Sequence, residues 1–198
     1  YAGDDGVRIP QTFHTYRELV ERNRSFDALA VMKPWQPTLT GADQPERLDG
    51  QKVTASYFRT LGVAPVLGRD FQPAEDILHG PKVVILSNRG WRAHFGGDST
   101  FIGQEIKLDD ENYTVIGVMP RAFDNVLAPS ADFWSPLQYD NANIVSQQTR
   151  EWGHHLRMVG RLRRGVSMVQ ARGDLDRIAH SRVPEYPRPA WASMDYGL

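Results

Sequence analysis

Residues 82–120, KVVILSNRGWRAHFGGDSTFIGQEIKLDDENYTVIGVMP, constrain the fold more than any other stretch. Residues 82–86 form an unbroken aliphatic run, too short for a helix and rich enough in Val and Ile for a strand buried on both faces. Ser87 stands where an N-cap is wanted, its hydroxyl placed to accept from an orphan N–H of the first helical turn. Trp91, His94 and Phe95 follow at i, i+3, i+4 and give that helix one apolar face. Gly96 and Gly97 close it, since glycine enters the left-handed C′ conformation without a Cβ clash. Ile106 and Leu108 then alternate with Glu105, Lys107 and Asp109, and residues 109–112 read as a turn. Residues 113–119 form a second apolar strand, stopped by Pro120, which offers no ladder N–H.

On the N-terminal side, residues 1–10 are aperiodic. A helix starts at Thr12, with Phe13, Tyr16, Leu19 and Val20 on one face and a Glu18–Arg22 pair at i,i+4, and ends near Asn23. Residues 26–32 read as a strand broken by Pro34 and Pro37, and residues 48–53 as its antiparallel return. Ser56 is placed to cap a short helix carrying Tyr57, Phe58 and Leu61. Residues 64–80, with two prolines, two glycines and no period, read as a loop long enough to suggest a function. C-terminal to the central stretch, residues 131–136 read as a short strand. Residues 138–153 are polar and aperiodic, the expected mobile segment, and 156–162 alternate again. Ser167 and Gln170 form a capping box opening a helix that buries Ala171, Leu175, Ile178 and Ala179, with Val166 and Ala171 as its staple. Two strand-and-helix groups, one near each end, bracket a β-rich middle. The expected class is α+β with two lobes, the middle one inserted into the outer one.

Reactive groups do not converge. His14 and Glu18 share a helix face but lack a second histidine, and the adjacent His154 and His155 point opposite ways on an extended backbone. Asp109, Asp110 and Glu111 lack the framework of a calcium loop and read as turn polarity. The adjacent Glu75 and Asp76 cannot flank a sugar as two separated carboxylates; a pairing of Arg69 with one of them would pin the 64–80 loop. No nucleophile elbow or phosphate-binding loop occurs. Trp91 and Trp134 are expected in the core, while Trp35 and Trp152 are as well suited to a carbohydrate cleft as to packing. A net charge of −1 argues against a nucleic-acid partner, and Arg157, Arg161, Arg163 and Arg164 read as a solvated strand face. There is no cysteine, hence no disulfide, and no apolar run of about 18 residues to span a membrane. No catalytic, cofactor-binding or metal-binding residue is expected.

The pattern GRDF…ED…VVILS…W…FGGD…IG..IKLD…YTVIGVMP resembles the MacB-like periplasmic core domain, the extracytoplasmic part of permeases in a class of ABC transporters that includes the macrolide exporter MacB and relatives of FtsX. FHTYRELVERNRSFDALA, VTASYFRTLGVAPVLGRDF and LRMVGRLRRGVSMVQARGDLDRIA extend the likeness in the same order over most of the chain. The resemblance implies a porter-like lobe from residues 1–55 and 150–198, and an inserted Sabre-like lobe from 56–149. It implies structural roles for Gly68, Arg69, Glu75, Asp76, Trp91, Phe95, Gly96, Gly97, Asp98, Gly103, Gly117 and Pro120. It also implies a place between two membrane helices on the outer face of the bacterial inner membrane, which makes this chain an excerpt. The implied partners are an ABC ATPase subunit or domain, a second permease copy and a periplasmic adaptor. The expected work is mechanical, in export. The alternative is an extracytoplasmic solute-binding or sensory module.

Overall fold

The computed structural model describes residues 12–40, 44–123, 125, 128–139 and 156–180. Thr12 caps α1 (Phe13–Arg22), its hydroxyl accepting from the Thr15 N–H at 3.0 Å. Phe13 and Leu19 are buried, and Glu18 and Arg22 pair at 2.7 Å. Val20 stays exposed, because the last turn of α1 reaches the core through Leu19.

The first strand, β1 (Phe26–Trp35), runs through Pro34 instead of breaking before it. Val31 bonds Thr54 through both its N–H and its carbonyl, so alternation turns the Pro34 nitrogen to the other edge. There it lies past Arg157, the last residue paired to β1 on that side, and no ladder bond is lost. After β2 (Thr38–Thr40) and β3 (Glu46–Arg47), β4 (Gly50–Val53) returns antiparallel to β1. Ser56 precedes α2 (Tyr57–Leu61) without capping it through its side chain; its hydroxyl donates to the Leu29 carbonyl at 2.8 Å, tying the helix to β1.

Residues 64–80 are more ordered than their composition suggests. β5 (Leu67–Gly68) pairs with the later β8, and a 3-10 turn covers Pro73–Glu75. The central stretch follows its sequence closely: β6 (Val83–Leu86), α3 (Asn88–Phe95), β7 (Glu105–Leu108) and β8 (Glu111–Val118). Ser87 accepts from the Gly90 N–H at 2.8 Å, and Gly96 takes φ 62° at the C-cap. Asp109 and Asp110, both at positive φ, turn the β7–β8 hairpin. Then come β9 (Phe133–Pro136), β10 (Arg157–Leu162) and α4 (Met168–His180). The capping box is formed: the Ser167 N–H donates to Gln170 Oε1 at 2.8 Å and the Gln170 N–H to Ser167 Oγ at 3.2 Å. Of the segment expected to be mobile, Gln138 and Tyr139 are packed into the body, and residues 140–153 lie outside the described residues.

Among the described residues the ten strands belong to one sheet, ordered β10-β1-β4-β9-β6-β8-β7-β2-β3, with β5 beside β8. The β4–β9 and β6–β8 pairs are parallel, the others antiparallel. Strand alternation divides the core. Val83 and Ile85 join Met32, Val53, Tyr57, Phe58 and Trp134 on one face, while Val84 and Leu86 join Trp91, Leu108 and Phe133 on the other. α1 and α4 cover Leu29 and Val31. The expected boundary at residue 55 therefore falls inside a shared core, and β4 of the outer segment is hydrogen-bonded to β9 of the middle one. Likewise β2, from the outer segment, pairs with β7.

Candidate functional site

A polar clasp holds residues 64–80. Gly68 sits at φ 71° with its Cα against β8, where a Cβ would come within 2.1 Å of the Ile116 carbonyl oxygen. Only glycine allows this approach. The turn that follows brings Arg69 onto Glu75 as a two-pronged pair, 2.5 Å from Nη2 to Oε1 and 3.1 Å from Nη1 to Oε2. Glu75 is 5 % exposed, and its Oε2 also accepts from the Gln72 N–H. Asp76 works in a different direction: its two oxygens accept the Ala55 and Gln138 N–H groups, each at 2.8 Å. Burial pushes the Asp76 carboxyl above its ordinary range, against the pull of these bonds. Gln138 completes the clasp by donating to the carbonyls of Glu75 and Pro81. Of the two partners considered for Arg69, Glu75 is the one it takes. Removing the guanidinium leaves a buried carboxylate uncompensated, so Arg69→Ala is expected to lower stability by about 2 kcal/mol, discounted for the half-exposed arginine. An unchanged urea midpoint would remove the clasp from the stability of the fold.

The other motif residues lie around α3 and β8. Trp91 Nε1 donates to the Asp98 carbonyl at 3.0 Å, and the Asp98 side chain caps the 3-10 turn Ser99–Phe101. Phe95 packs on Phe101 at 4.7 Å between ring centroids. Gly97 and Gly103 adopt positive φ, Gly117 lies under Arg69 and Leu67, and Pro120 follows β8. These residues are spread along the β6–β8 unit and do not surround one point.

Two groups were not anticipated. Lys52 and Lys33 face each other in register on β4 and β1. Lys52 Nζ donates to Ser135 Oγ at 2.9 Å and Tyr113 OH at 3.3 Å, and lies 4.2 Å from the Trp35 ring centroid. Burial first, then the neighbouring Lys33 charge, lower the Lys52 ammonium to about 7. The sequence held a faint signal, four lysines against nineteen arginines, two of them placed here. The second group is the buried network around Gln51, whose Oε1 accepts from Asn125 Nδ2 and Trp134 Nε1, each at 2.8 Å. Tyr57 OH closes it by donating to Asn125 Oδ1 at 3.0 Å.

The sequence candidates for chemistry separate. Glu18 is held by Arg22, Asp109 accepts the Thr38 N–H, and Glu111 pairs with Lys82. His154, His155 and Trp152 lie outside the described residues. Arg161 and Arg163 donate to the carbonyls of Thr60 and Phe26, while Arg157, Arg163 and Arg164 are exposed, as a solvated strand face requires. Trp35 packs on Tyr113. Among the described residues no cluster of His, Asp or Glu has the geometry to hold a metal ion, and no helix is long and apolar enough to cross a membrane. An open cleft of about 630 Å³ lies beside α3, lined by Ser87, Arg89, Arg92, Arg121, Phe123 and Asp132 among others.

The model of one family, the MacB-like periplasmic core domain, matches residues 3–178. The chain belongs to that family. The mixed α+β fold with a large open sheet agrees with two solved structures. The periplasmic region of MacB from Actinobacillus actinomycetemcomitans superposes with a TM-score of 0.64 at 14 % identity, over 88 % of this chain and 76 % of that one. The extracellular domain of the noncanonic ABC-type transporter YknZ from Gram-positive bacteria gives 0.60 at 16 % identity, over 85 % and 82 %. At these identities the likeness is one of fold. No curated protein matches the sequence.

Proposed function

We propose that this MacB-like domain is the extracytoplasmic part of an ABC transporter permease. It passes nucleotide-driven movement of membrane helices to cargo or partner proteins on the outer side of the bacterial inner membrane, in export. ATP hydrolysis belongs to a separate subunit or domain, since the sequence holds no phosphate-binding loop. A second permease copy and a periplasmic adaptor are the other partners in this reading. Its main support is the family match over residues 3–178, read with one structural observation. Segments from the two ends of the chain are tied to its middle by a continuous sheet and a shared core. Residues 1–55 and 150–198 are the porter-like part and 56–149 the Sabre-like part in this proposal. Because they share strands and core, they move together, and the displacement occurs between copies of the domain. Packed cores resist continuous deformation, which suits a part that transmits force. Distance measurements between copies in the full-length permease, with and without a hydrolysis-trapped nucleotide, test this reading.

A further inference from the structure

We infer that the cleft beside α3 binds an acidic peptide segment, whose carboxylates are taken by Arg92 and Arg121. Three arginines line the cleft against one carboxylate, Asp132. That carboxylate is already committed: it accepts from Ser87 Oγ and from Arg89 Nε at 3.0 and 3.1 Å. Arg89 is held further by the Ser130 carbonyl at 2.8 Å. Arg92, in contrast, donates through its Nε to Asn88 Oδ1 at 3.1 Å and lies 5.9 Å from the Trp91 ring centroid, which leaves its two Nη groups for a ligand. Among the described residues neither Arg92 nor Arg121 meets a carboxylate, and both are exposed. In a chain of net charge −1, two guanidiniums that no carboxylate of the described residues pairs with, at one concave site, are a local excess. A guanidinium stays charged at every accessible pH and presents a planar fork that matches a carboxylate.

The shape selects among anions. The half-buried Phe123 and the exposed Ala93 and Pro129 give the cleft an accessible apolar lining beside these cations. A free phosphate would engage the guanidiniums and leave that lining in water. A bilayer surface cannot follow a concave wall. A peptide that alternates acidic and apolar side chains satisfies both, carboxylates on the arginines and an aliphatic side chain over Phe123. None of this requires the transport reading, and a failure to bind peptide would leave the distance test between copies untouched.

Fluorescence anisotropy of the 198-residue chain with a labelled, end-blocked Glu-Leu-Glu-Leu-Glu-Leu peptide tests the assignment. Saturable binding is expected, at least tenfold weaker for a Lys-Leu-Lys-Leu-Lys-Leu peptide and weakened by added salt. The double variant R92E/R121E should lose at least tenfold in affinity, and R92Q/R121Q should lose less. Reversing two exposed arginines elsewhere, R164E/R172E, should change it by less than twofold. Equal losses in the two reversal variants would reduce the effect to non-specific charge and overturn the assignment. So would full competition by millimolar inorganic phosphate, or binding to phosphatidylglycerol vesicles without binding to the peptide.

Discussion

Raising the pH from 7 to 9.5 is expected to stabilise this domain by about 3 kcal/mol, and replacing Lys52 with Met to abolish the gain. The Lys52 ammonium is lowered from 10.5 to about 7, first by burial and then by Lys33 directly across the strand pair. Lys82 adds to the repulsion, while Glu111 and Asp109 oppose it. Between 7 and 10.5 the unfolded chain binds a proton at Lys52 that the folded chain has released. Stability therefore rises with pH across that window, by roughly 1.4 kcal/mol per unit, and the gain is absent below it. Above pH 10 the sign reverses. Burial raises the Tyr113 hydroxyl to about 12 and drives Tyr57 higher still, so unfolded tyrosines ionise first and favour the unfolded state. Urea unfolding at half-unit steps should show a maximum between pH 9 and 10. An equal slope in Lys52→Met would assign the effect to other groups.

Gln51→Ala is expected to cost about 4 kcal/mol, combining a cavity in the sheet with two orphaned donors. Gln51 is 1 % exposed on β4, and its side-chain oxygen is the acceptor for both Trp134 Nε1 and Asn125 Nδ2. Trp134 is itself buried and edge-on to Phe58 at 5.4 Å, so its indole is held in place by the core. The network joins β4, β9, α2 and the loop at Asn125, which makes it the polar counterpart of the shared apolar core. Trp134→Phe removes one donor, so the double variant should cost less than the sum of the singles. A loss below about 1 kcal/mol in Gln51→Ala would mean that water replaces the missing acceptor.

The elements that sequence reading located are those governed by local rules. Ser87, the Trp91–Phe95 face and Gly96 define α3 within a few residues of each other, and Ser167 with Gln170 defines the start of α4. Arg69 and Glu75 are six residues apart in one loop, close enough for their pairing to be anticipated. Pairings across long separations left no such trace. β4 and β9 run parallel although some 80 residues separate them, and β2 reaches β7 across a similar distance. Strand propensity names the strands but not their neighbours. The same limit hid Asp174, which caps the Arg24 and Ser25 N–H groups from a helix 150 residues away in sequence. Burial would raise that carboxyl; the bonds from Arg24, Arg177 and Ser25 outweigh it and hold it below its ordinary range. Pro34 misled for a related reason, since whether a proline breaks a strand depends on which edge is paired. Lys52 was illegible because a lysine in a strand reads as solvent-facing until its aromatic neighbours are placed around it.

The proposed force-transmitting role requires the domain to keep its shape while its position changes. Spin labels at Asp110, on the β7–β8 turn, and Arg172, on α4, occupy exposed sites on the middle and the end segments of the chain. In the full-length permease, the Asp110–Arg172 distance within one copy should stay constant when a hydrolysis-trapped nucleotide is added, while the Arg172–Arg172 distance between copies shifts. A between-copy distance that stays fixed across nucleotide states would contradict the account.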